Sequence, residues 1–103
     1  MIYRLTKAAS EDLLEIWNYI ATDNLTAADK LIDDIYEAFD LLAENPEIGR
    51  KNEPIGKHSF RFWTVRKRYH VIYRNKQEIE IARVLNGYRD IFTILSSQEN
   101  LSH

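Results

Sequence analysis

Positive charge and aromatic rings are interleaved through the second half of the sequence, and these residue types are well suited to binding or catalysis. Together they are Arg61, Trp63, Arg66, Lys67, Arg68, Tyr69, Tyr73, Arg74, Arg83, Tyr88 and Arg89. Cations beside stacking rings suit single-stranded nucleic acid, and the same cations suit an acidic protein surface. The alternative is a solvated sheet face over an aromatic core. Tyr69 and Tyr73, which share a face, fit that alternative better.

Acid–base chemistry is the catalysis that one residue in this half of the chain could support. His70, which lies in mid-strand among arginines, could act as a general acid or base. A histidine whose hydrogen bonds are satisfied within the fold is the simpler interpretation of His70, so both interpretations stay open.

Metal and cofactor chemistry has little support in the sequence. The histidines, His58, His70 and His103, are scattered without acidic residues at ligand spacing, and there is no cysteine. The three glycines do not form a phosphate-binding loop. We therefore expect no metal site and no cofactor.

The formal net charge of −2 hides opposite charges in the two halves of the chain. Residues 10–48 contain eleven acidic residues and one lysine, whereas residues 49–103 contain eleven basic and five acidic residues. One interpretation is that the two halves only solvate and attract each other. The other is that the basic half binds a polyanion or an acidic partner.

Composition and length indicate an ordinary folded protein. Apolar residues make up 45% of the 103 residues and charged residues 29%. We expect one domain over residues 1–103, with residues 96–103 as a frayed tail. The sequence has no long apolar run and no secretory signal at its N-terminus, so we expect no membrane span and a cytoplasmic location.

Two amphipathic helices are predicted between residues 10 and 45. Ser10 is the expected N-cap of the first helix, whose apolar stripe is Leu13, Ile16, Trp17 and Ile20 and which should end near residues 22–24. Thr26 is the expected cap of the second helix, with Asp29 completing a reciprocal contact. The long second stripe ends before Asn45-Pro46. It comprises Ala28, Leu31, Ile32, Ile35, Ala38, Phe39 and Leu42.

Strands surround these helices in the sequence. A short strand is predicted at residues 3–6, and residues 60–65, 69–74 and 79–85 alternate as an antiparallel meander. Its turns lie at residues 66–68 and 75–76, and residues 47–57 should form a loop. The strand at 79–85 should bury one face and end at Asn86-Gly87, with Tyr88, Arg89 and Asp90 just beyond. Residues 91–95 should form a short helix or a last strand.

This order of elements predicts an α+β fold of two layers. An antiparallel helical hairpin would cover the apolar face of a mostly antiparallel β-sheet that includes the N-terminal strand.

Nearly the whole chain resembles the ParE-type toxins of the RelE/ParE superfamily, which belong to type II toxin–antitoxin modules. The matching residues, in the family's order and spacing, are Ala9, Asp12, Leu13, Ile16, Tyr19, Ile20, Ala28, Ile35, Leu42, Asn45, Pro46, Gly49 and residues 69–74 and 79–90. The resemblance implies the fold predicted above. It also implies a protein that arrests growth unless a cognate antitoxin wraps it.

Two activities are known in this superfamily: ParE-type members inhibit DNA gyrase, and RelE-type members cut mRNA on the ribosome. ParE-like sequences often have histidine where this chain has Asn86. RelE-type nucleases often have arginine where this chain has His70, and their C-terminal tyrosine is missing here. We therefore expect a gyrase inhibitor, with two alternatives. One is an mRNA endonuclease that uses the ribosome, and the other is an inactive homologue that still binds antitoxin. In-line cleavage of RNA needs a base for the 2′-hydroxyl and positive charge for the phosphate. In the endonuclease alternative His70 would be the base, and Arg61, Arg83 and Arg89 would supply the charge.

The resemblance also suggests roles for particular residues. Those expected to bind the target are Arg66, Lys67, Arg68, Arg83, Tyr88 and Arg89. The antitoxin is expected to contact Trp17, Tyr36, Arg61, Trp63 and Arg74 through an acidic or amphipathic segment that orders as it binds.

Overall fold

Two helices lie on one five-stranded sheet in the computed structural model, which describes residues 2–51 and 59–87. The elements are β1 (Tyr3–Leu5), α1 (Lys7–Ala21), α2 (Leu25–Glu44), β2 (Arg50–Lys51), β3 (Arg61–Val65), β4 (Tyr69–Asn75) and β5 (Ile79–Asn86). The strand order is β1-β5-β4-β3-β2, and β1 pairs with β5 in parallel while the other pairs are antiparallel. The predicted α+β fold and mostly antiparallel sheet are confirmed.

Some sequence predictions fall on other parts of the chain. Tyr88, Arg89 and Asp90, the element at 91–95, the tail at 96–103 and most of the loop at 47–57 lie outside the described residues. The described part of that loop contains β2, whose Arg50 pairs with Phe62. The prediction of a loop was therefore wrong at these two positions.

Both helices begin at residues other than those predicted. Thr6, not Ser10, caps α1, because its hydroxyl accepts a hydrogen bond from the Ala9 N–H at 3.0 Å. Asn24, not Thr26, caps α2 and accepts from the Ala27 N–H at 3.0 Å. A capping residue needs extended backbone, and Thr6 and Asn24 have it while Ser10 and Thr26 lie inside the helices.

The ends of the helices and their buried faces agree with the sequence patterns. Helix α1 ends before Thr22, and α2 ends before Asn45. The main core lies between the helices and the sheet, and its largest members include Phe39, Leu42 and Tyr73. No helix in the described ranges is long and apolar enough to cross a membrane.

Strand β5 is buried on both faces, so the prediction of one buried face was wrong. Ile79, Ile81 and Val84 belong to the main core, whereas Ala82 and Leu85 belong to a second cluster, called here the outer cluster, with Phe60, Phe62 and Ile72. The register pairs Ile72 with Arg83 but Tyr73 with Ile81, which leaves Ala82 as an extra residue in β5. A bulge of this kind shifts the alternation by one residue.

A buried carboxylate joins the strands at one end of the sheet. Glu80 is 6% exposed and accepts hydrogen bonds from Arg4 of β1 at 2.7 Å and from Arg74 of β4 at 2.5 Å. Arg74 also lies over the Phe60 ring, 5.6 Å from its centroid. Glu80 thus holds its own strand, β5, to both of its neighbours through charged hydrogen bonds.

Replacement of Glu80 by alanine should lower the free energy of unfolding by about 3 kcal/mol, because two guanidinium groups would lose a buried anion. Glu78→Ala is the matched control. Its carboxylate lies 3.7 Å from Arg4 and its side chain is 41% exposed, against 8% for Glu80, so its loss should change stability by less than about 0.5 kcal/mol. Urea denaturation at neutral pH measures both values, and equal losses would contradict this account.

A buried tyrosine hydroxyl fixes the segment that follows α2. Tyr73 Oη accepts from the Gly49 N–H at 2.9 Å and donates to the Pro46 carbonyl at 2.8 Å. A Cβ atom at Gly49 would lie 2.4 Å from Tyr73 Oη, so this close approach requires glycine. Burial raises the pKa of Tyr73 above the ordinary value of 10.0, against the opposing effects of Gly49 and Arg61.

Tyr73→Phe should lower stability at neutral pH by about 1–3 kcal/mol, because the Gly49 N–H and Pro46 carbonyl lose their partner. It should also weaken the alkaline loss of stability. A raised pKa in the folded state means full stability below about pH 10 and decreasing stability as the pH rises through that value. Tyr3, whose pKa is also raised by burial, keeps part of this dependence in the variant.

Urea unfolding between neutral pH and about pH 11 tests this expectation. An identical alkaline dependence in the wild type and the variant would contradict it.

Candidate functional site at the cationic turn

The turn between β3 and β4 consists of three cationic residues, as predicted, and its backbone is unusual. Arg66 has φ 55° and Lys67 has φ 59°, and the Arg68 N–H donates to the Val65 carbonyl at 3.1 Å. Two consecutive positive φ angles are typical of the type I′ hairpin turn, which normally contains asparagine and glycine. Residues with a Cβ atom lose about 1–2 kcal/mol each in this conformation. The turn therefore keeps its charge at the expense of backbone strain.

The three cations of this turn have different surroundings. Arg66 Nε donates to Asp34 Oδ2 of α2 at 2.7 Å, and Arg66 NH2 lies 2.6 Å from the same oxygen. Lys67 and Arg68 are exposed, and within the described residues their side chains have no ion pair or hydrogen bond. The ion pair holds the turn against the helical layer, and Lys67 and Arg68 are free to contact another molecule.

A cleft of about 380 Å³ lies beside Arg68. Its lining residues come from α1, from the cationic turn and from the adjoining ends of β4 and β5, and they are Glu15, Ile16, Tyr19, Ile20, Arg68, Tyr69 and Asn86. Tyr19 is 76% exposed although it is aromatic. Ile16 and Tyr69 are buried, so the cleft has an apolar floor and a rim that carries both signs of charge. Such a cleft suits one side chain of a protein partner.

Glu15, Tyr19 and Asp34 were not predicted as site residues. Tyr19 could have been found, because it is an aromatic residue outside the core stripe of its helix. Glu15 and Asp34 gave no signal among the many other acidic residues of the helices.

Arg83, a candidate for catalysis and for target binding, is bound by its own chain. Its Nε and NH2 donate to the two oxygens of Asp12 in α1 at 2.7 and 2.8 Å. The hydrogen bond to Asp12 raises the pKa of Arg83, so the guanidinium stays charged. A guanidinium held in this bidentate way has few donors left for a phosphate. The predicted roles of Arg83 stay predictions.

Two other candidate nuclease residues, His70 and Arg61, lie on opposite faces of the sheet. His70 Nδ1 lies 3.2 Å from the Thr64 hydroxyl, and these residues are paired across β3 and β4. Arg61, three residues before Thr64 in β3, therefore points to the opposite face. Its guanidinium donates to the carbonyls of Glu47 and Gly49 at 3.1 and 3.0 Å. The structure does not bring His70 and Arg61 together.

The residues predicted to bind the antitoxin are also divided. Trp17 and Tyr36 line a groove between the two helices, and the Trp17 indole donates to Asp29 at 2.9 Å. Asp29 therefore makes this contact rather than the predicted one at the start of α2. Trp63 packs partly buried against the main core, and Arg74 is bound to Glu80.

Among the described residues, no group of three or more histidine or acidic residues could hold a metal ion.

Comparison with known proteins identifies the family to which this chain belongs. The profile of the family described as "ParE toxin of type II toxin-antitoxin system, parDE" matches residues 3–91. The chain belongs to this family of toxins.

A solved structure titled "Chromosomal ParDE TA system from P. aeruginosa" is similar to this chain with a TM-score of 0.70 and 28% sequence identity. The match covers 85% of this chain and 97% of that chain. No curated protein matches this sequence with significance.

Lys67→Gly should raise the free energy of unfolding by about 0.5–1 kcal/mol, because glycine adopts positive φ without a steric penalty. The same change removes an exposed cation, so we expect a more stable protein that binds its target less well. Thermal unfolding measures the first effect. Lys51→Gly, at an exposed position of ordinary φ, is the control and should be destabilising. A decrease in stability on Lys67→Gly would contradict the assignment of strain.

Proposed function

We propose that this toxin arrests growth by binding DNA gyrase and that a cognate antitoxin neutralises it. The observation that carries this proposal is that Arg61 and Arg83, the two candidate cations for RNA cleavage within the described residues, are bound within the chain. Arg83 is held by Asp12, and Arg61 is held by two backbone carbonyls on the face of the sheet away from His70. A phosphate at His70 would therefore not meet a free guanidinium from either of these two arginines.

The exposed cations support a function in binding. Lys67 and Arg68 extend from a turn that is strained and tied to α2 through Arg66, so their positions are restricted before any target binds. Preorganised charge reduces the entropy lost on association and favours an acidic surface or a nucleic acid. Gyrase with its bound DNA presents phosphate groups to such a turn. This mode of action would place the protein in the cytoplasm.

We propose Lys67 and Arg68 as the principal target-binding residues among those described, with Arg66 as the residue that positions them. Tyr88 and Arg89 follow the end of β5 in the sequence and remain proposed target-binding residues. For the antitoxin, we propose Trp17 and Tyr36 as contacts, because both line the same groove. Arg61, Trp63 and Arg74 have structural partners, which argues for a lesser role.

A gyrase supercoiling assay tests the proposal. The purified toxin should inhibit supercoiling of plasmid DNA, and the double variant Lys67→Asn/Arg68→Ala should need about a tenfold higher concentration, which corresponds to about 1.4 kcal/mol. Asparagine is used at position 67 because it tolerates positive φ. Arg50→Ala/Lys51→Ala removes the same charge from the exposed β2 and should inhibit like the wild type.

The result of this assay would also decide between the alternatives. If the wild type leaves supercoiling unchanged but induction produces new transcript ends inside codons, the protein is a nuclease, and His70→Ala should abolish the arrest. If the wild type affects neither growth nor gyrase, it is an inactive homologue that still binds antitoxin. An equal loss of inhibition in the two double variants would show that gyrase binding depends on net charge alone and not on the turn.

A further inference from the structure

The cleft beside Arg68 has a fixed frame on the side of the sheet. Tyr69 and Asn86 are paired across β4 and β5, where the two strands adjoin the cationic turn. The Arg68 N–H donates to the Val65 carbonyl at 3.1 Å, and the Arg68 carbonyl accepts from the Gly87 N–H at 2.9 Å. Gly87 has φ 76°, which glycine adopts without strain. The backbone that carries the Arg68 side chain is therefore held through both of its polar groups.

The helical side of the cleft is one strip of α1. Glu15, Ile16, Tyr19 and Ile20 line it, and residues four apart lie on the same face of a helix. The strip is about 7.5 Å long at about 1.5 Å per residue. Ile16 belongs to the main core and Ile20 packs against it, so the floor of the cleft is the edge of that core. Within the described residues, the exposed Tyr19 side chain makes no hydrogen bond or ring contact.

The rim of the cleft has opposite charges on its two sides. Arg68 lies on the side of the sheet and Glu15 on the side of α1, and both are exposed. An anion is therefore favoured at one side of the cleft and disfavoured at the other. Lys67, the neighbouring cation of the turn, does not line the cleft.

The charge of the helices argues against a nucleic acid in this cleft. The hairpin over residues 7–44 contains ten acidic residues but only two bases. A nucleic acid carries a phosphate at every nucleotide, so a strand laid across the cleft would bring phosphates against Glu15 and this acidic layer. A protein segment can instead place a single carboxylate beside Arg68 and an apolar side chain on the floor.

We propose that the cleft binds one large apolar side chain from the protein surface of gyrase, and that a carboxylate next to it in the same segment pairs with Arg68. The apolar floor selects the side chain, and Glu15 sets the orientation by excluding the carboxylate from its side. Lys67 remains outside the cleft for the phosphates of the bound DNA. The inference rests on the proposed function in one respect, which is that gyrase supplies the segment.

Three short peptides, blocked at both ends and otherwise made of glycine and serine, provide the probe. The first has phenylalanine followed by glutamate, the second has phenylalanine followed by lysine, and the third has alanine followed by glutamate. NMR titration of the isotope-labelled toxin, read at the amides of Asn86 and Gly87 beside the cleft, gives the dissociation constants. The wild type should bind the first peptide at least about tenfold tighter than either of the others.

Arg68→Glu tests the charged half of the proposal. It should reverse the order of the two phenylalanine peptides, because a carboxylate then stands where the guanidinium was. The matched control is Lys51→Glu in the exposed β2, which changes the net charge by the same amount and should keep the order of the wild type.

Tyr19→Ala tests the apolar half and should weaken binding of the phenylalanine–glutamate peptide by about fivefold. Leu41→Ala is its control, because Leu41 is 39% exposed on α2 and does not line the cleft. The source of the segment is tested with labelled toxin and the gyrase holoenzyme without DNA. The wild type should bind it, and Tyr19→Ala should bind at least about fivefold less tightly.

Four outcomes would overturn the proposal. Equal binding of the three peptides by the wild type would remove the chemistry assigned to the cleft. The same change of order in Lys51→Glu as in Arg68→Glu would show that net charge alone acts. Binding of duplex DNA alone that is lost in Tyr19→Ala would assign the cleft to nucleic acid. A wild-type dimer that is lost in Tyr19→Ala would assign it to a second copy of this chain.

Failure of this proposal can be distinguished from failure of the proposed function, because the peptide titration contains no gyrase. A toxin that inhibits supercoiling but does not discriminate among the peptides would refute the assignment of the cleft and leave the proposed function intact. A toxin that discriminates among the peptides as expected but leaves gyrase unaffected would refute gyrase as the source of the segment, and with it the proposed function.

Discussion

The attachment of α1 to the open edge of β5 is the interaction on which the rest of the structure depends. Strand β1 covers β5 only as far as Ile81, so the backbone groups that follow would lack partners. Thr6 donates its hydroxyl to the Ala82 carbonyl, and Asp12 accepts from the Val84 N–H at 2.9 Å. Buried backbone groups need hydrogen-bond partners. Here residues at the start of α1 supply the hydrogen bonds that a longer β1 would otherwise make to β5. This contact fixes the helical hairpin over the main core.

The arrangement also explains why Arg83 resembles a catalytic residue in the sequence but has a structural contact in the fold. A cation in the last strand of a basic sheet is what a nuclease would use, and the sequence gives no indication of a partner 71 residues away. Asp12 neutralises this guanidinium and accepts a backbone hydrogen bond at the same time. The distinction between a catalytic and a structural arginine therefore depends on a contact between elements that are distant in the chain.

Local patterns predicted the elements of this fold well, and tertiary contacts decided the rest. The helical stripes and the meander were evident because each repeats with the period of its own element, and the cationic turn was evident as the break between two alternating strands. The bulge at Ala82 was not evident, since it follows from pairing with β4 and changes which face each residue of β5 occupies. The caps were misplaced by a few residues because Thr6, Ser10, Asn24 and Thr26 are all suitable residues, and only the backbone conformation separates them. At the site, the positive charges could be predicted from the sequence. The partners that bind them could not, because Asp34, Asp12 and the backbone carbonyls are distant in the chain from the arginines they contact.

The contact between Gly49 and Tyr73 joins two positions that lie 24 residues apart in the sequence. It also couples the evolution of these two positions. Any side chain at position 49 would overlap the tyrosine ring, and loss of the ring would leave two backbone groups of the segment after α2 without their partner. Neither position is therefore free to change alone, and related sequences should vary at the two positions together or at neither. A larger residue at position 49 would therefore require a smaller residue at position 73.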